Sequence, residues 1–435
     1  MSTIKRLQRL TGEKIQQEKS SSRSVEINDL RKRIESIMSR RQDVVPKSSP
    51  RQFGTPLVLE EIIEGDEIHT PHGKFFISYG FHSGSSKHGC RHIREISNID
   101  MNSVALLAKA PNLASNNLSD ALFLDTETTG LSGGTGTLAF LIGLGWFENE
   151  TFVTKQIFAR DFSEEGACLS FLLDLSREKR FLVTFNGKAF DISLLAARFI
   201  LNRLPDLLSG MPHFDLLHTS RRLLGHRLDN SRLTTLEKDI LGFHRDGDIP
   251  GSEIPQRYFD WLRRRDARLM VDVFEHHRLD VVSMAILTLH LTEMLKYNSE
   301  NTTYDHSDLL AVSKLLHNRG DSSKARIILE SVIDSDNHNV AFEARKTLSL
   351  IHKRSGNWID AVRIWEMILS DDPGNVFAVV ELAKFFEHNT NDFKSAIDII
   401  SVALGTSYYK TEQECEALVH RLNRLKSRRG HVQNK

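Results

Sequence analysis

Five side chains in three separated stretches have the types and spacing to do chemistry. They are Asp125 and Glu127 in FLDTETTG, Asp191 in TFNGKAFD, and His276 with Asp280 in HHRLD. Four carboxylates drawn from separate elements, with a histidine, are what a two-metal phosphodiester-cleaving site needs. Residues i and i+2 of an extended backbone face the same side, so Asp125 and Glu127 can share one pocket. Their oxygens suit two hard divalent cations, Mg2+ or Mn2+. Asp191 opens a helix, where a carboxylate also serves as a cap and complements the helix dipole. His276 and Asp280, at i and i+4, share one face of a predicted helix, whereas His277 points elsewhere. The expected division of labour has Asp125 bridging the ions, Glu127 and Asp280 completing their shells, and Asp191 joining directly or through water. Imidazole titrates near neutrality, so His276 is the candidate base for the attacking water.

Positioning these residues requires an α/β scaffold. ALFLD, TLAFLIGLGWF, TFVTKQIFA and RFLVTF read as strands, EEGACLSFLLDL and ISLLAARFIL as amphipathic helices, and the stretch from Leu269 to Leu295 as a long helix. Three strands on short turns, followed by α-β-α alternation, predict a mixed sheet with flanking helices over residues 119–298. Ahead of it, residues 51–118 read as a small β-containing lead-in, with GKFFISYGF as a strand after the turn TPHG. Residues 1–50 are charged and Ser-rich, with Lys and Arg outnumbering acids roughly two to one, and predict a disordered tail.

Beyond residue 303 the pattern becomes all-helical and repetitive. GDSSKARIILE, GNWIDAVRIWE and NDFKSAIDII align Ala325, Ala361 and Ala396, at about the 34-residue period of helix-pair repeats. Residues 303–430 thus resemble a tetratricopeptide array, whose concave surface implies a protein partner; a helical cap on the catalytic domain is the alternative.

Composition bounds the rest. The 435 residues have room for two or three domains, and 57 basic residues balance 57 acidic ones, so no global field steers the chain onto nucleic acid. Basic surface must be local, and Arg257, Arg263, Arg264, Arg265 and Arg268 form one candidate run. Cys90, Cys168 and Cys415 are too few and scattered for a disulfide framework. His82, His88, Cys90 and His92 lie close together, but their spacing matches no zinc pattern. No stretch is apolar enough to span a bilayer and no signal core begins the chain, which predicts a soluble, cytoplasmic protein without membrane contact.

The motif order resembles that of the DEDD exonuclease superfamily, with its ribonuclease-H-like fold. FLDTETTG is similar to the first motif and FNGKAFD to the second, while FDLLHTSRRLLG resembles the segment that follows it. TGLSGGTGTLAFLIGLG, HFDLLHTSRRL, GDIPGSEIPQRY and HHRLDVVSM look closer still to the bacterial YprB-like ribonuclease-H-like proteins, several of which also carry tetratricopeptide repeats. The resemblance spans nearly all of residues 119–295. It implies a metal-dependent nuclease, a 3′→5′ exonuclease on single-stranded DNA or RNA, with Asp125, Glu127, Asp191 and Asp280 as metal ligands. The chain departs from many relatives in placing histidine four residues before the last aspartate, with Glu275 at five; helical geometry favours His276 as the base.

Around this set, Asn186, Lys188, Arg245 and Tyr258 are the candidate substrate contacts, with His244 as a further phosphate contact and Phe185, Phe190 and Trp261 as possible stacking partners for bases. Asp248 sits in the loop GDIPG that could line the groove, and Asp215 and Arg221 read as stabilising residues. GLSGGTG lacks the lysine of a P-loop. Two other functions compete: a structure-selective endonuclease on the same site, and a non-catalytic scaffold acting through the helical repeats.

Overall fold

A computed structural model describes residues 56–130, 136–297, 304–405 and 411–433. The charged N-terminal tail and most of GLSGGTG lie outside the described residues. After a short helix α1 (Leu59–Ile62) come strands β1 (Gly65–Thr70) and β2 (Gly73–His82), a two-residue hairpin β3–β4 (Lys87–His88, Arg91–His92) and helix α2 (Met101–Ala108). Then follow β5 (Ala121–Thr128), β6 (Ala139–Glu148), β7 (Thr151–Phe158), α3 (Glu165–Ser176), β8 (Phe181–Thr184), α4 (Asp191–Leu201) and β9 (His213–Asp215). Helices α5 (Leu216–Leu224), α6 (Leu233–Leu236), α7 (Ile254–Arg264) and α8 (Val271–Met294) complete this part.

The strands form one mixed sheet in the order β1-β2-β7-β6-β5-β8-β9. Pairing is antiparallel from β1 through β5, and β5, β8 and β9 run parallel. The lead-in is therefore not a separate unit: β1 and β2 extend the sheet at its β7 edge. Sequence reading missed this because pairing across some 70 residues leaves no local mark. β9, three residues long, was also too short to stand out.

The sheet is covered on both faces, which is why β6 reads as an almost unbroken apolar run. Leu122 and Leu124 of β5 pack with Leu169, Leu172, Leu195 and Phe199 of α3 and α4. Ala121 and Phe123 point the other way, into a core with Val281, Val282 and Ala285 of α8. That alternation continues past the apolar stretch: Asp125 and Glu127 emerge on the α8 face and Thr126 on the α4 face.

Two glycines let α8 approach. Gly143 pairs with Asp125 across β5–β6, and a Cβ there would lie 2.6 Å from His277 Cε1 and 2.8 Å from Val281 Cγ2. At Gly145 it would lie 2.6 Å from both Val281 Cγ1 and Phe152 Cζ. The glycines in FLIGLG are the floor on which α8 rests.

Helices α9 (His306–Asn318), α10 (Ser322–Glu330), α11 (His338–Arg354), α12 (Trp358–Asp371), α13 (Val376–Phe385), α14 (Phe393–Gly405) and α15 (Glu412–Gln433) form the C-terminal helical domain. Ala325, Ala361 and Ala396 are fully buried where successive helices meet. The core beneath α8 runs on without a break into α9, α11 and α12, through Leu309, Leu316, Leu348 and Trp365. Arg227, just past α5, reinforces the junction: its Nε and Nη2 lie 2.9 and 2.7 Å from the two oxygens of buried Asp308 on α9. No described helix is long and apolar enough to cross a membrane.

The histidines around Cys90 have separate partners. His88 stacks on Phe243 at 3.8 Å and its Nε2 meets Ser283 Oγ at 2.7 Å, whereas His92 Nδ1 meets the Ser85 carbonyl at 3.1 Å. The three cysteines are free.

Two predictions follow from this packing. Gly143→Ala pushes α8 off the sheet and lowers unfolding stability by about 1–3 kcal/mol; an unchanged urea midpoint would refute the close contact. Burial first, and then the positive charge of Arg245, hold His88 down to about 3. The unfolded chain takes up this proton near pH 6.5 and the fold only near 3. Stability from neutral His88 is therefore complete above about pH 6.5 and falls with acidification, by up to about 1.4 kcal/mol per pH unit. Urea midpoints at pH 7 and 5 should differ less for His88→Phe than for the wild type.

Candidate active site

The acids gather at the carboxyl ends of the parallel strands, where open α/β sheets form their ligand crevices. Asp125 lies two residues beyond the last β5–β8 pair, Phe123↔Val183, so it projects past the edge of its neighbour. Asp191 follows the turn after β8 as the first residue of α4. It is not a cap: Phe190 occupies the N-cap, and the Asp191 carboxylate instead accepts a hydrogen bond from the Thr126 hydroxyl. α8 supplies His276 and Asp280 from the opposite side of the crevice.

Ligand atoms of Glu127, His276 and Asp280 all lie within 4.8 Å of one another. His276 Nε2 is 4.0 Å from Glu127 Oε1 and 3.5 Å from Asp280 Oδ2. Burial, then repulsion from Asp280, Asp191 and Glu127, pushes the Asp125 carboxyl well above the usual range. Glu127 is raised for the same reasons, with Arg245 opposing. Burial lifts Asp191 to about 6, against the Thr126 hydrogen bond. The pocket thus concentrates oxygen donors and negative charge out of water, a donor set that fits hard divalent cations.

Three partners were not foreseen as such from sequence. Asp248 Oδ1 lies 2.8 Å from His276 Nδ1, so the Nδ1–H donates to it and the Nε2 lone pair faces the acids. The sequence alone makes the loop GDIPG a lining of the groove; that its acid holds the histidine depends on a fold contact 28 residues away along the chain. His277 does leave the face of His276, but it turns onto β5 rather than away from the site. Its Nε2 lies 3.2 Å from the Asp125 carbonyl and 3.6 Å from Asp125 Oδ2. Gln156 on β7 donates to His277 Nδ1 at 3.2 Å and to the Phe274 carbonyl at 2.9 Å, which fixes the tautomer. Burial keeps His277 neutral, down to about 3. The doublet HH was the available signal for it.

Arg245 requires a correction. Expected as a phosphate contact, it is an internal counter-ion with a side chain only 5% exposed. Its Nε and Nη2 lie 2.7 and 2.5 Å from the oxygens of buried Glu237, Nη2 also pairs with Asp280, and Nη1 lies 3.3 Å from Asp248 Oδ2. Nη1 also donates to the His276 carbonyl at 3.4 Å, so the five N–H groups of this buried guanidinium are all held internally and none is left for an incoming phosphate.

Tyr258 and Trp261 are likewise not stacking platforms. Tyr258 is fully buried, its ring 4.0 Å from that of Phe140 and nearly parallel, and its hydroxyl donates to the Ala159 carbonyl at 3.0 Å. Trp261 is buried and its Nε1–H donates to the Arg160 carbonyl at 2.9 Å. Both follow from the apolar stripe of α7, which packs on the sheet. In the nearby arginine run, Arg263, Arg265 and Arg268 pair with Asp260, Asp161 and Asp266. Asn186, Lys188 and Phe190 occupy the turn before Asp191, where Lys188 is exposed and Phe190 is 57% exposed. Asn186 adopts φ +68°, tolerable for asparagine, and Asp215 accepts hydrogen bonds from the Asn186, Lys188 and Leu217 amides. Asp215 therefore shapes the turn.

Removing Arg245 leaves Glu237 and Asp280 without their cation. Arg245→Met should destabilise the protein by about 3–5 kcal/mol in urea unfolding, and adding Glu237→Gln should recover part of the loss. Equal stability of Arg245→Met and wild type would overturn the counter-ion role.

A model of the RNase_H superfamily matches residues 122–292, from β5 through most of α8, and so takes in all four acids and His276. Over 320 residues the chain is 34% identical to YprB of Bacillus subtilis (strain 168), described as an uncharacterized protein; the match covers 71% of this chain and 75% of YprB.

Proposed function

The chain belongs to the RNase_H superfamily, in one family with YprB, and from that premise we propose that it is a metal-dependent nuclease, a 3′→5′ exonuclease acting on single-stranded DNA or RNA. The observation that carries this reading is the meeting of Glu127 from β5 with His276 and Asp280 from α8, all within 4.8 Å, with Asp248 behind the histidine. Asp125, Glu127, Asp191 and Asp280 are the ligands for two divalent ions, Mg2+ or Mn2+. Bound there, such ions supply Lewis acidity toward a phosphodiester oxygen and lower the pKa of water.

The chain's own groups do the rest. His276 Nε2 collects a proton from the water whose oxygen adds to phosphorus as the P–O3′ bond breaks, and the departing 3′ oxygen takes up a proton from solvent. Asp248 holds the imidazole in the required tautomer and stabilises the imidazolium that results. Thr126 orients Asp191, Arg245 offsets the charge of Asp280, and the Gln156–His277 pair fixes the backbone at Asp125. Lys188 and Phe190, exposed on the turn that delivers Asp191, are the contacts for a phosphate and a base. Asn186 sets the shape of that turn. The helical domain, in this reading a tetratricopeptide-type array, presents the substrate or a partner.

End-labelled single-stranded DNA and RNA, incubated with Mg2+, Mn2+ or chelator, test the proposal. The wild type should give a metal-dependent ladder from the 3′ end, and Asp125→Ala none. His276→Ala should lose about 10²–10⁴ in rate, and Asp248→Asn about 10–100-fold. Internal cuts would favour an endonuclease. Cleavage that survives both chelator and Asp125→Ala would end the metal-site reading.

A further inference from the structure

On the helical domain, alternate helices are bridged by carboxylates that each meet more than one cation. Glu343 of α11 lies 2.8 Å from Lys314 of α9 and 3.5 Å from Lys346 of its own helix. Glu381 of α13, buried, pairs with Lys353 of α11 and lies 2.6 Å from Lys384. Glu387, just past α13 and also buried, takes Arg421, Arg424 and Arg428 of α15 at 3.4, 2.6 and 2.8 Å. Three carboxylates thus meet seven lysines and arginines, which leaves a surplus of positive charge within these bridges from α9 to α15.

The surplus is open to solvent. The side chains of Lys346, Lys384 and Arg428 are 40%, 38% and 53% exposed, whereas Glu381 and Glu387 are buried beneath them and Glu343 is 37% exposed. Spacing of i, i+3 and i+10 keeps 343, 346 and 353 on one face of α11, and spacing of i, i+3 and i+7 keeps 421, 424 and 428 on one face of α15. Aromatic rings are interleaved with the charge: Lys346 Nζ sits 5.8 Å from the Phe342 ring and 5.7 Å from the Phe377 ring. At its α9 end, Lys314 shares a cleft with Arg222 and His226, which lie on and just past α5 of the ribonuclease-H-like part.

We infer that this stripe is a binding track for the phosphodiester backbone of single-stranded nucleic acid. Half-exposed cations carried on neighbouring helices match a polymer with one negative charge per residue. The chain's net charge of zero makes so local an excess informative. The track goes beyond the hydrolytic reading, because binding to it requires neither metal nor the acids of the crevice.

The test is designed to spare the fold. Lys346 and Lys384 are the same-helix partners of Glu343 and Glu381, so their removal leaves the cross-helix bridges from Lys314 and Lys353 in place. Arg428 leaves Arg421 and Arg424 on Glu387. The variant Lys346→Ala/Lys384→Ala/Arg428→Ala is compared with a charge-matched control, Lys324→Ala/Arg326→Ala/Lys394→Ala, in the full-length chain. Binding of a fluorescent single-stranded oligonucleotide of about 30 nucleotides is followed in chelator across salt concentrations. The stripe variant should bind about tenfold more weakly at 0.1 M salt, with a log–log salt slope shallower by about 2, while the control matches wild type. Equal losses in both variants, or none in the stripe variant, would overturn the track. Oligonucleotide affinity absent from wild type, with polyglutamate bound instead, would overturn it in favour of an acidic protein partner. Lysine acetylation of the unsubstituted protein gives an independent reading. The oligonucleotide should protect Lys346 and Lys384, and undiminished reactivity there contradicts the proposal. Failure of the hydrolytic reading would leave all of these measurements unchanged, because none involves cleavage.

Discussion

Like charges held together out of water are the constraint on which this architecture turns. Asp125, Glu127, Asp191 and Asp280 repel one another, and burial raises the free energy of the ionised forms of Asp125, Glu127 and Asp191. Such a cluster persists only where stronger forces prevent its members from separating. Here the force is the packing of α8 against the sheet, with Val281 seated over the two glycines of β6. Apolar residues two turns and more along α8 hold Asp280 in the crevice, and the same alternation that buries Phe123 brings out Asp125 and Glu127.

Around the cluster, each neighbour acts on one acid or on the histidine. Arg245 is the internal cation, and it is itself anchored by Glu237 on the π-helical turn after α6. Asp248 orients His276, and the Gln156–His277 pair ties α8 to the carbonyl of Asp125. The site is therefore braced from β5, β7, the loop before α7, and α8 together. None of these supports is adjacent in sequence to the group it holds, apart from the Arg245–Asp248 pair.

The helical domain is continuous with this scaffold rather than appended to it. α8 contributes its first turns to the site and its later turns to the core shared with α9 and α11. A helix buried on nearly every side must be apolar nearly all round, which the stretch VVSMAILTLHL satisfies. The Arg227–Asp308 ion pair closes the same junction.

How much of this could be read from the chain depends on the range of the interaction. Short apolar runs marked β2 and β5–β8, 3.6-residue periodicity marked α3 and α4, the length of its apolar stretch marked α8, and the acids with His276 stood out because backbone geometry alone places i with i+2 and i with i+4. The small-residue positions Ala325, Ala361 and Ala396 were legible for the same reason. What the tertiary structure decided lies beyond local periodicity: β1 and β2 joining the sheet, Arg245 as a counter-ion, Asp248 and His277 as site partners, and Tyr258 and Trp261 as core. An arginine or an aromatic ring carries no local sign of whether it will meet solvent or a buried partner. That choice is made when distant segments pack, since burial and charge compensation are properties of the whole fold.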